Sequence, residues 1–413
     1  MAQTDRIRIV IVGAGHAGVA AATLFGQRAP NCDVVLVGEE GHLPYHRPPL
    51  SKAYLKEGSD PTRILLKGES FYAANRIELQ LGERIVGIDR ETKQIIVAAG
   101  APIKYDALIL ATGSEPRRLT VPGTKLNGIY ELRDIADADK IRGALGKSRR
   151  LVVVGGGYIG LEVAASARAA GLDVTVVERE ARILARVAGA VLSQRVAEYH
   201  CSNGVEIITD TQVVAFEATT DGYVRAVRLS TGATLECDMV LVGVGGVPRD
   251  ELARDANLSC GDGIIVDHRA RTSDPSIYAI GDVSARPVPL YGRTLRLESV
   301  QNATEQAKQV VADITGQPAP KAEIPWFWSD QYDLKIQIAG LPLDSDSYVV
   351  RIGAGSQQLA VFHLLGERLR AVEAINSPAE YMAGRALIES GGHLSKQKLA
   401  DATVAMSNVL ADL

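Results

Sequence analysis

IRIVIVGAGHAG, residues Ile7–Gly18, is an apolar run that leads into a glycine-rich turn, and LVVVGGGYIG, residues Leu151–Gly160, repeats this order later in the chain. Each stretch has the strand, turn and helix context in which a G-x-G-x-x-G pattern binds a dinucleotide. The glycines allow a tight turn and bring backbone N–H groups to a pyrophosphate, while the following helix directs the positive end of its dipole to that charge. We call these candidate sites the first cradle (Gly13, Gly15 and Gly18) and the second cradle (Gly155, Gly157 and Gly160).

A second apolar run follows each cradle and ends in an acid. Val34–Val37 leads to Glu39, and Val174–Val177 leads to Glu178. A carboxylate at this position can accept hydrogen bonds from a ribose diol. One glycine-rich turn often serves only to pack a helix on a strand, but two complete units with their acids favour two bound dinucleotides. Two dinucleotides on one chain indicate electron transfer between them.

The composition is typical of a multidomain enzyme. With 413 residues, of which 46% are hydrophobic and 23% charged, the chain is too long for one core and can form two or three. The net charge of −4 disfavours a general affinity for nucleic acid or for an anionic membrane. The cysteines lack the C-x-x-C spacing of redox or zinc motifs; they are Cys32, Cys201, Cys237 and Cys260. We therefore expect a cytoplasmic protein without a metal site.

Two sharp breaks divide the chain. The strand-like run Ala107–Ala111 ends in Thr112–Arg117, whose glycine and proline mark an exit from a sheet. The second nucleotide unit closes before Gly243–Pro248, and Ser276–Asp282 returns as a buried strand that ends in an acid, which marks a second crossing. Pro318 and Pro320 then form a linker to a terminal region of short strands and helices. The predicted segments are 1–116, 117–244, 245–320 and 321–413.

Local patterns predict further strands. Thr211–Glu217 and Tyr223–Leu229 flank an Asp-Gly turn and are typical of a hairpin added to the sheet of the second nucleotide unit. In the terminal region the expected strands are Lys335–Ile338, Tyr348–Ile352, Leu359–Leu364 and Leu369–Ala374.

Seven motifs together resemble the flavin-dependent ferredoxin reductases that supply bacterial cytochromes P450 and ring-hydroxylating dioxygenases. They are Gly13–Gly18, Arg47–Lys52, Ala111–Gly113, Gly155–Glu162, Gly281–Asp282, Glu298–Ala303 and Trp326–Tyr332. The resemblance implies an α/β fold with two Rossmann-like dinucleotide-binding domains, for FAD and NAD, plus a C-terminal α+β domain. It assigns segments 1–116 and 245–320 to FAD, 117–244 to NAD and 321–413 to the C-terminal domain.

The resemblance assigns the chemistry to Lys52, Glu162 and Tyr158. Lys52 matches the family's flavin-adjacent lysine, whose charge offsets the negative charge that develops on a flavin during reduction. Glu162, expected in the first turn of the second cradle's helix, would pair with Lys52; the alternative is ordinary complementarity between a first-turn acid and the helix dipole. Tyr158 would cover the flavin until nicotinamide displaces it, and the alternative is a core aromatic that packs the helix on the sheet.

The remaining FAD contacts are also carried over from the family. The resemblance implies contacts from Ala17, Arg47, Thr112, Gly113, Arg133, Asp282 and Val300. Asp282 would bind the ribityl chain, with a turn cap as the alternative. Val300 and the helix that begins near Gln301 would direct backbone N–H groups to the flavin pyrimidine, with plain helix initiation as the alternative.

The nicotinamide cofactor is expected in the second cradle, in contact with Ile159, Glu178 and Gly245. Glu178 can bond a 2′-OH but repels a 2′-phosphate, so NADH should be preferred over NADPH. Arg179, beside Glu178, leaves NADPH open because its guanidinium can accept a phosphate. Gly246 and Arg249 depart from the commoner family pattern, which puts the geometry of the loop that contains them in doubt.

The electron acceptor follows from an absence. The stretch His42–Lys52 contains no cysteine, which excludes the dithiol relay of disulfide reductases of this fold. The expected reaction is hydride transfer from NADH to FAD and then single-electron transfer to a two-iron two-sulfur ferredoxin. Trp328 would shield the flavin or contact the ferredoxin, and the alternative is core packing of Trp326 and Trp328 on alternate faces of a strand.

The partner is expected to dock transiently and electrostatically on a monomer or weak dimer. The candidate docking residues are Arg63, Lys308 and Lys335, with Lys396 and Lys398 as more distant possibilities. The alternatives are a rubredoxin or quinone reductase and a non-enzymatic flavoprotein scaffold resembling apoptosis-inducing factor. No nucleic acid or membrane partner is expected.

Overall fold

The computed structural model describes residues 6–57, 60–353, 355 and 357–410. The chain forms two compact units. Unit one comprises Met1–His46, Asp60–Glu115 and Gly246–Glu323; unit two comprises Arg47–Ser59, Pro116–Gly245 and Ile324–Leu413. The first cradle therefore belongs to unit one and the second cradle to unit two.

Unit one is built on a parallel five-stranded sheet. Its strands, in spatial order, are Ile277–Ala279, Ala107–Leu110, Ile7–Val12, Cys32–Gly38 and Ile77–Leu81. The central strand is apolar and buried from Ile9 to Val12, where both faces of the sheet are covered. Ile9 and Ile11 point to one face of the sheet and pack against the helices His16–Arg28 and Val300–Ile314. Val10 points to the opposite face and belongs to a second hydrophobic core.

That opposite core lies under a small antiparallel sheet, Ile85–Asp89, Gln94–Val97 and Ile103–Lys104. A four-stranded sheet is formed by Cys260–Gly261, Gly263–Ile265, Ser284–Val288 and Arg293–Arg296. Gly246–Pro248 pairs with Ser114–Pro116 where the chain crosses between segments. The other helices and helical turns are Pro61–Ile64, Glu69–Ala74, Glu251–Asp255, Gly281–Val283 and Pro289–Tyr291.

Unit two repeats the parallel sheet. Its strands, in spatial order, are Val205–Ile208, Asp173–Val177, Arg150–Val154, Met239–Val242 and Ile129–Tyr130. The helices of this part of the unit are Pro48–Ser51 (a single 3₁₀ turn), Ala53–Glu57, Ile135–Leu145, Tyr158–Ala169 and Ala190–Ser202.

The predicted hairpin forms, but its placement in the parallel sheet is wrong. Val213–Ala218 and Val224–Leu229 pair antiparallel and, with Thr234–Glu236, make a separate three-stranded sheet. Its apolar side chains, among them Phe216 and Val227, pack on a face of the parallel sheet. Burying that face stabilises the hairpin more than an edge pairing that would leave it exposed to water.

The C-terminal part of unit two is an antiparallel sheet with two helices. Its strands, in spatial order, are Trp326–Gln331, Leu334–Gly340, Arg368–Ile375, Leu359–Leu365 and Ser347–Ile352. The helices are Pro378–Ser390 and Lys396–Ala400, followed by the turn Met406–Asn408. All four strands expected here are present, and the predicted fold class is confirmed: α/β, with two Rossmann-like domains and a C-terminal α+β domain.

Within the described part of the chain, every helix is too short or too polar to cross a lipid bilayer.

Candidate functional site

The first cradle has the close backbone contacts that require glycine. Gly13 has φ +113°, and a Cβ there would lie 2.1 Å from the carbonyl oxygen of Ala111. A Cβ on Gly18 would lie 1.9 Å from the carbonyl oxygen of Gly13. Gly15 differs, because no described atom lies within 4 Å of the position its Cβ would take. The open backbone at Gly15, at the start of the helix His16–Arg28, fits the approach of a pyrophosphate.

The second cradle has the same geometry. Gly155 has φ +106°, and a Cβ there would lie 2.4 Å from the carbonyl oxygen of Gly243. A Cβ on Gly160 would lie 2.4 Å from the carbonyl oxygen of Gly155, whereas one on Gly157 would meet only the oxygen of Gly243, at 4.0 Å. Ile159, the second residue of the helix, is 50% exposed. This cradle also fits a dinucleotide, with an open N-terminal turn.

The acids that follow the two cradles have different partners. Glu39 is half-exposed and accepts a hydrogen bond from Arg249 at 2.7 Å. Glu178 accepts hydrogen bonds from the backbone N–H of Gly156 at 2.7 Å and of Glu180 at 2.8 Å. These two bonds hold the Glu178 carboxylate against the second cradle itself, in the position from which an acid can bind a ribose.

Arg179, which bears on the choice between NADH and NADPH, and Arg249, which departs from the family pattern, both form hydrogen bonds. The Arg179 guanidinium donates to Glu180 at 2.7 and 3.2 Å, so its charge is partly neutralised. Arg249 donates its backbone N–H to Gly113 at 2.9 Å and accepts from the Thr112 hydroxyl at 2.7 Å. Arg249 therefore fixes the Thr112-Gly113 turn through its backbone, and its departure from the family pattern was the only sequence signal that it has a role.

A buried glutamine fixes the turn that carries Asp282. The Gln306 side-chain oxygen accepts from the backbone N–H of Gly281 at 2.8 Å and from the Ser284 hydroxyl at 2.9 Å. Ser114 donates to Asp282 at 3.3 Å. No motif predicted Gln306, because a glutamine in an amphipathic helix gives no signal that it is buried.

The helix that carries Gln306 begins at Val300, as expected. Its N-cap is Ser299, which accepts from the backbone N–H of Asn302 at 3.1 Å. Ala17 lies buried in the first cradle's helix, where a Cβ on Gly281 would approach its methyl group to 2.9 Å. The first cradle, Ala17, Asp282 and Val300 thus all lie in unit one.

The structure brings Lys52 and Glu162 together inside unit two. The Lys52 ammonium lies 2.8 Å from Glu162 Oε1, and the Glu162 side chain is only 5% exposed. The hydroxyls of Ser51 and Ser329 donate to the two oxygens of this carboxylate, each at 2.5 Å. The expected first-turn position is wrong, because Glu162 is the fifth residue of the helix Tyr158–Ala169. Dipole complementarity at the helix start therefore does not account for this buried acid.

Tyr158 is a neutral phenol whose side chain is partly buried and whose hydroxyl is fully buried. Its hydroxyl has no hydrogen-bond partner among the described residues, and its ring centre lies 4.6 Å from that of Phe327. Burial raises the pKa of Tyr158 well above its ordinary value, and the negative charges of Glu373 and Glu162 raise it further. The phenol therefore stays protonated across the working pH range, and its unpartnered hydroxyl can donate a hydrogen bond to a bound group.

The tryptophans do not lie on alternate faces of their strand. Trp326 and Trp328 are two residues apart, and in a strand such residues share a face. Their ring centres are 5.6 Å apart, and both side chains are only partly buried. The core-packing alternative is therefore wrong in its geometry, and the half-exposed pair keeps a surface role open.

Three further site residues lie in unit two. Arg47 donates to the backbone oxygen of Arg133 at 2.7 Å, which places these two arginines side by side. A Cβ on Gly245 would lie 2.9 Å from the guanidinium of Arg186, so any larger residue at 245 would displace that side chain. With Lys52, Glu162, Tyr158 and the second cradle, these residues make unit two the richer of the two in candidate chemistry.

Two known protein families together match nearly the whole chain. Residues 7–307 match the family model for pyridine nucleotide-disulphide oxidoreductases, and residues 326–410 match that for the reductase C-terminal domain. A probable ferredoxin reductase of Castellaniella defragrans is 43% identical over 97% of this chain and 98% of its own length. A rubredoxin-NAD(+) reductase of Pseudomonas putida is 40% identical over 90% of this chain and 96% of its own length.

A solved structure agrees with these relatives. The covalent complex of putidaredoxin reductase with putidaredoxin contains a chain that superimposes with a TM-score of 0.94, at 38% identity, over 98% of both chains. This chain therefore belongs to the pyridine nucleotide-disulphide oxidoreductase family and is, with FAD and NAD(H) as its cofactors, an NADH-dependent oxidoreductase of the ferredoxin reductase type.

Proposed function

We propose that the chain takes hydride from NADH and passes electrons singly to a two-iron two-sulfur ferredoxin that serves a cytochrome P450 or a ring-hydroxylating oxygenase. The observation that carries this proposal is the ion pair between Lys52 and the buried Glu162. Lys52 ends the stretch His42–Lys52, which contains no cysteine. Disulfide reductases place a cysteine pair in that stretch, so electrons here pass to an external acceptor. Bound FAD accepts two electrons together and can release them one at a time.

We assign FAD to the first cradle and NAD(H) to the second. In this assignment Asp282 and the start of the helix Val300–Ile314 bind FAD, together with Thr112 and Gly113. The contacts of Gln306 with Gly281 and of Arg249 with Gly113 support it, because both hold cofactor-facing turns in fixed positions. Arg47 and Arg133 remain candidates for FAD contacts.

The proposed role of Lys52 is electrostatic. Its ammonium offsets the negative charge of the reduced flavin, and the buried Glu162 carboxylate holds the ammonium in place. The neutral Tyr158 adds no charge of its own, so it can cover an uncharged ring without an electrostatic cost. Trp328, on the half-exposed face of its strand, is the candidate for shielding the flavin or contacting the ferredoxin.

The second cradle is proposed to select NADH. The Glu178 carboxylate is held by two backbone N–H groups, so it cannot turn away easily from a 2′-phosphate. Arg179, which is the residue best placed in sequence to accept that phosphate, is already paired with Glu180. Ile159 and Gly245 complete the proposed contacts.

The ferredoxin is proposed to bind transiently to basic side chains. Arg63 and Lys335 are exposed, whereas Lys308 forms an ion pair with Glu323 at 2.7 Å and is therefore the weaker of the three candidates. The complex of putidaredoxin reductase with putidaredoxin supports an iron–sulfur protein as the partner. A cytoplasmic location belongs to this proposal and is supported by the four cysteines, none of which forms a disulfide in the structure. A monomeric or weakly dimeric state without nucleic acid or membrane partners is also part of this proposal.

A rubredoxin reductase is the second candidate, because one of the relatives bears that name. The test is NADH oxidation with a panel of two-iron ferredoxins, a rubredoxin and a two-electron quinone, with ferricyanide as the control for flavin function. We expect the highest kcat/KM with a ferredoxin. A higher kcat/KM with rubredoxin or quinone, at equal ferricyanide turnover, would replace the proposed acceptor.

A further inference from the structure

A line of buried polar side chains continues from Glu162 Oε1, the carboxylate oxygen that also contacts Lys52. The Ser329 hydroxyl donates to Glu162 Oε1 at 2.5 Å, and the Gln331 amide nitrogen donates to the Ser329 oxygen at 3.1 Å. The Gln331 amide oxygen lies 2.8 Å from Nε2 of His200. Ser329, Gln331 and His200 are all fully buried.

This line joins two parts of unit two that are far apart in sequence. Ser329 and Gln331 lie on one face of the strand Trp326–Gln331, and His200 lies near the end of the helix Ala190–Ser202. The ring of Tyr332 packs edge-on against His200, with centres 5.1 Å apart. The helix therefore holds the end of the strand at a polar contact.

The direction of every hydrogen bond follows from Glu162. An ionised carboxylate only accepts, so Ser329 must donate its single proton to Glu162 and must itself accept from an N–H group. Only the NH₂ group of Gln331 can supply that bond, which leaves the amide oxygen of Gln331 facing His200. His200 must then carry its proton on Nε2.

The other nitrogen of His200 agrees with this tautomer. Its Nδ1 is buried and has no hydrogen-bond partner among the described residues, so a proton there would be an unsatisfied donor. Burial lowers the pKa of His200, which keeps the ring neutral, and its bond to Gln331 only partly opposes this shift. A neutral ring with the proton on Nε2 meets every requirement of the line.

We propose that His200, Gln331 and Ser329 are positioning residues that form a one-directional hydrogen-bond chain and hold Glu162 as an oriented carboxylate. Each donor in the chain points to Glu162, so the bond dipoles add and stabilise its negative charge. The chain acts on the reaction only through Glu162 and Lys52, and in that respect it rests on the proposed function. It gives the C-terminal strand and the helix Ala190–Ser202 a shared role in holding the ion pair.

The first test reads the tautomer of His200 directly. In the full-length holoprotein, ¹⁵N NMR of the histidine rings should show His200 protonated on Nε2 alone. Glu162→Gln removes the anion that orders the chain, although it lies three hydrogen bonds from the ring. We expect Nε2 to stay protonated in that variant, with ¹H and ¹⁵N shifts that move toward those of a weaker hydrogen bond, because the bonds of the chain no longer reinforce one another. Protonation of wild-type His200 on Nδ1, or Nε2–H shifts that Glu162→Gln leaves unchanged, would overturn the chain.

The second test separates positioning from ordinary structural support. Ser329→Ala and Gln331→Met remove chain members with little change in volume. We expect each to slow flavin reduction by NADH about tenfold at unchanged FAD content, because Glu162 loses an ordered donor. Ser377→Ala is the matched control, since Ser377 is a buried serine that donates only to the backbone oxygen of Ile375. Equal effects of Ser329→Ala and Ser377→Ala would overturn the positioning role.

Failure of this inference is distinguishable from failure of the proposed function. If Lys52→Met reduces its flavin at the wild-type rate, the proposed role of Lys52 is refuted. The tautomer of His200 and its response to Glu162→Gln do not depend on that rate, so they decide the chain independently.

Discussion

The two cradles share a backbone geometry, but the helices that follow them carry very different side chains at the position seven residues after the first glycine. Gly13 and Gly155 donate to the second strands in the same way, each at 2.8 Å. Seven residues after each of these glycines stand Ala20 and Glu162. Ala20 packs on an apolar core, whereas Glu162 is a buried carboxylate with three donors around it.

This difference separates binding from chemistry. The shared turn needs only backbone N–H groups and glycines, so it can hold a pyrophosphate in either unit. A buried acid is costly unless it is fully hydrogen-bonded and paired, and the chain supplies Ser51, Ser329 and Lys52 for that purpose. We infer that the cradles bind and that the residue at the position of Glu162 makes the second unit reactive.

The largest expected effect comes from breaking each cradle in turn. An added methyl group at Gly18 or Gly160 would lie far inside contact distance of a backbone oxygen, at 1.9 and 2.4 Å, so the turn must shift. Overpacking of this kind costs about 1–3 kcal/mol, which corresponds to about fivefold to 150-fold in binding. Gly18→Ala should therefore lose FAD, and Gly160→Ala should keep FAD but raise the KM for NADH.

Flavin absorbance of the purified variants and NADH titrations measure these two effects. Gly143→Ala is the control, because no described atom lies within 4 Å of a Cβ at that position. Loss of FAD in Gly160→Ala with retention in Gly18→Ala would reverse the assignment of the cofactors to the cradles.

The next effect concerns the reactive residue pair. Lys52→Met keeps the length of the side chain and removes the charge that is proposed to stabilise reduced flavin. Removing one such electrostatic contact typically costs on the order of 100-fold in rate. Stopped-flow reduction of bound FAD by NADH should slow by about that factor, while Lys104→Met, at an exposed lysine, should not change it. An unchanged rate at full FAD occupancy would reject the role of Lys52.

A smaller effect is expected at the acids that follow the cradles. Glu178→Ala removes a fixed carboxylate that repels a 2′-phosphate, so the ratio of kcat/KM for NADPH to that for NADH should rise about tenfold. Glu39→Ala is the matched change at the first cradle and should leave this ratio unaltered. A wild type that uses both nucleotides equally well would contradict the assignment of Glu178.

The features that could be predicted from the sequence are local. Each cradle, its flanking strands and its acid lie within about 30 residues and follow one recurring pattern. The partners of Glu162 in the structure could be predicted only in part from such patterns. Lys52 was found through a family motif, but Ser329 and Gln331 lie in a strand where polar residues usually indicate an exposed face.

The remaining site residues were missed because they act through contacts between distant parts of the sequence, and one alternative failed because it misjudged which residues of a strand share a face. His200 becomes a partner of Gln331 only through folding, because 131 residues separate them. Gln306 and Arg249 likewise act on turns that no sequence pattern connects to them. The alternative that placed the two tryptophans on opposite faces of their strand was wrong, because residues two apart share a face.

The smallest expected effect lies at the two exposed candidates for ferredoxin docking, Arg63 in unit one and Lys335 in unit two, neither of which belongs to a cradle. Arg63→Glu and Lys335→Glu reverse exposed charges that are proposed to attract an acidic ferredoxin. Each should raise the KM for ferredoxin by a few fold, since single exposed charges contribute only about 1 kcal/mol or less, and should flatten its dependence on ionic strength. Turnover from NADH to ferricyanide should be the same in these variants as in the wild type, because a small acceptor does not need either side chain. Equal losses with both acceptors would instead indicate damage at the flavin site, and ferredoxin docking on these residues would then be refuted.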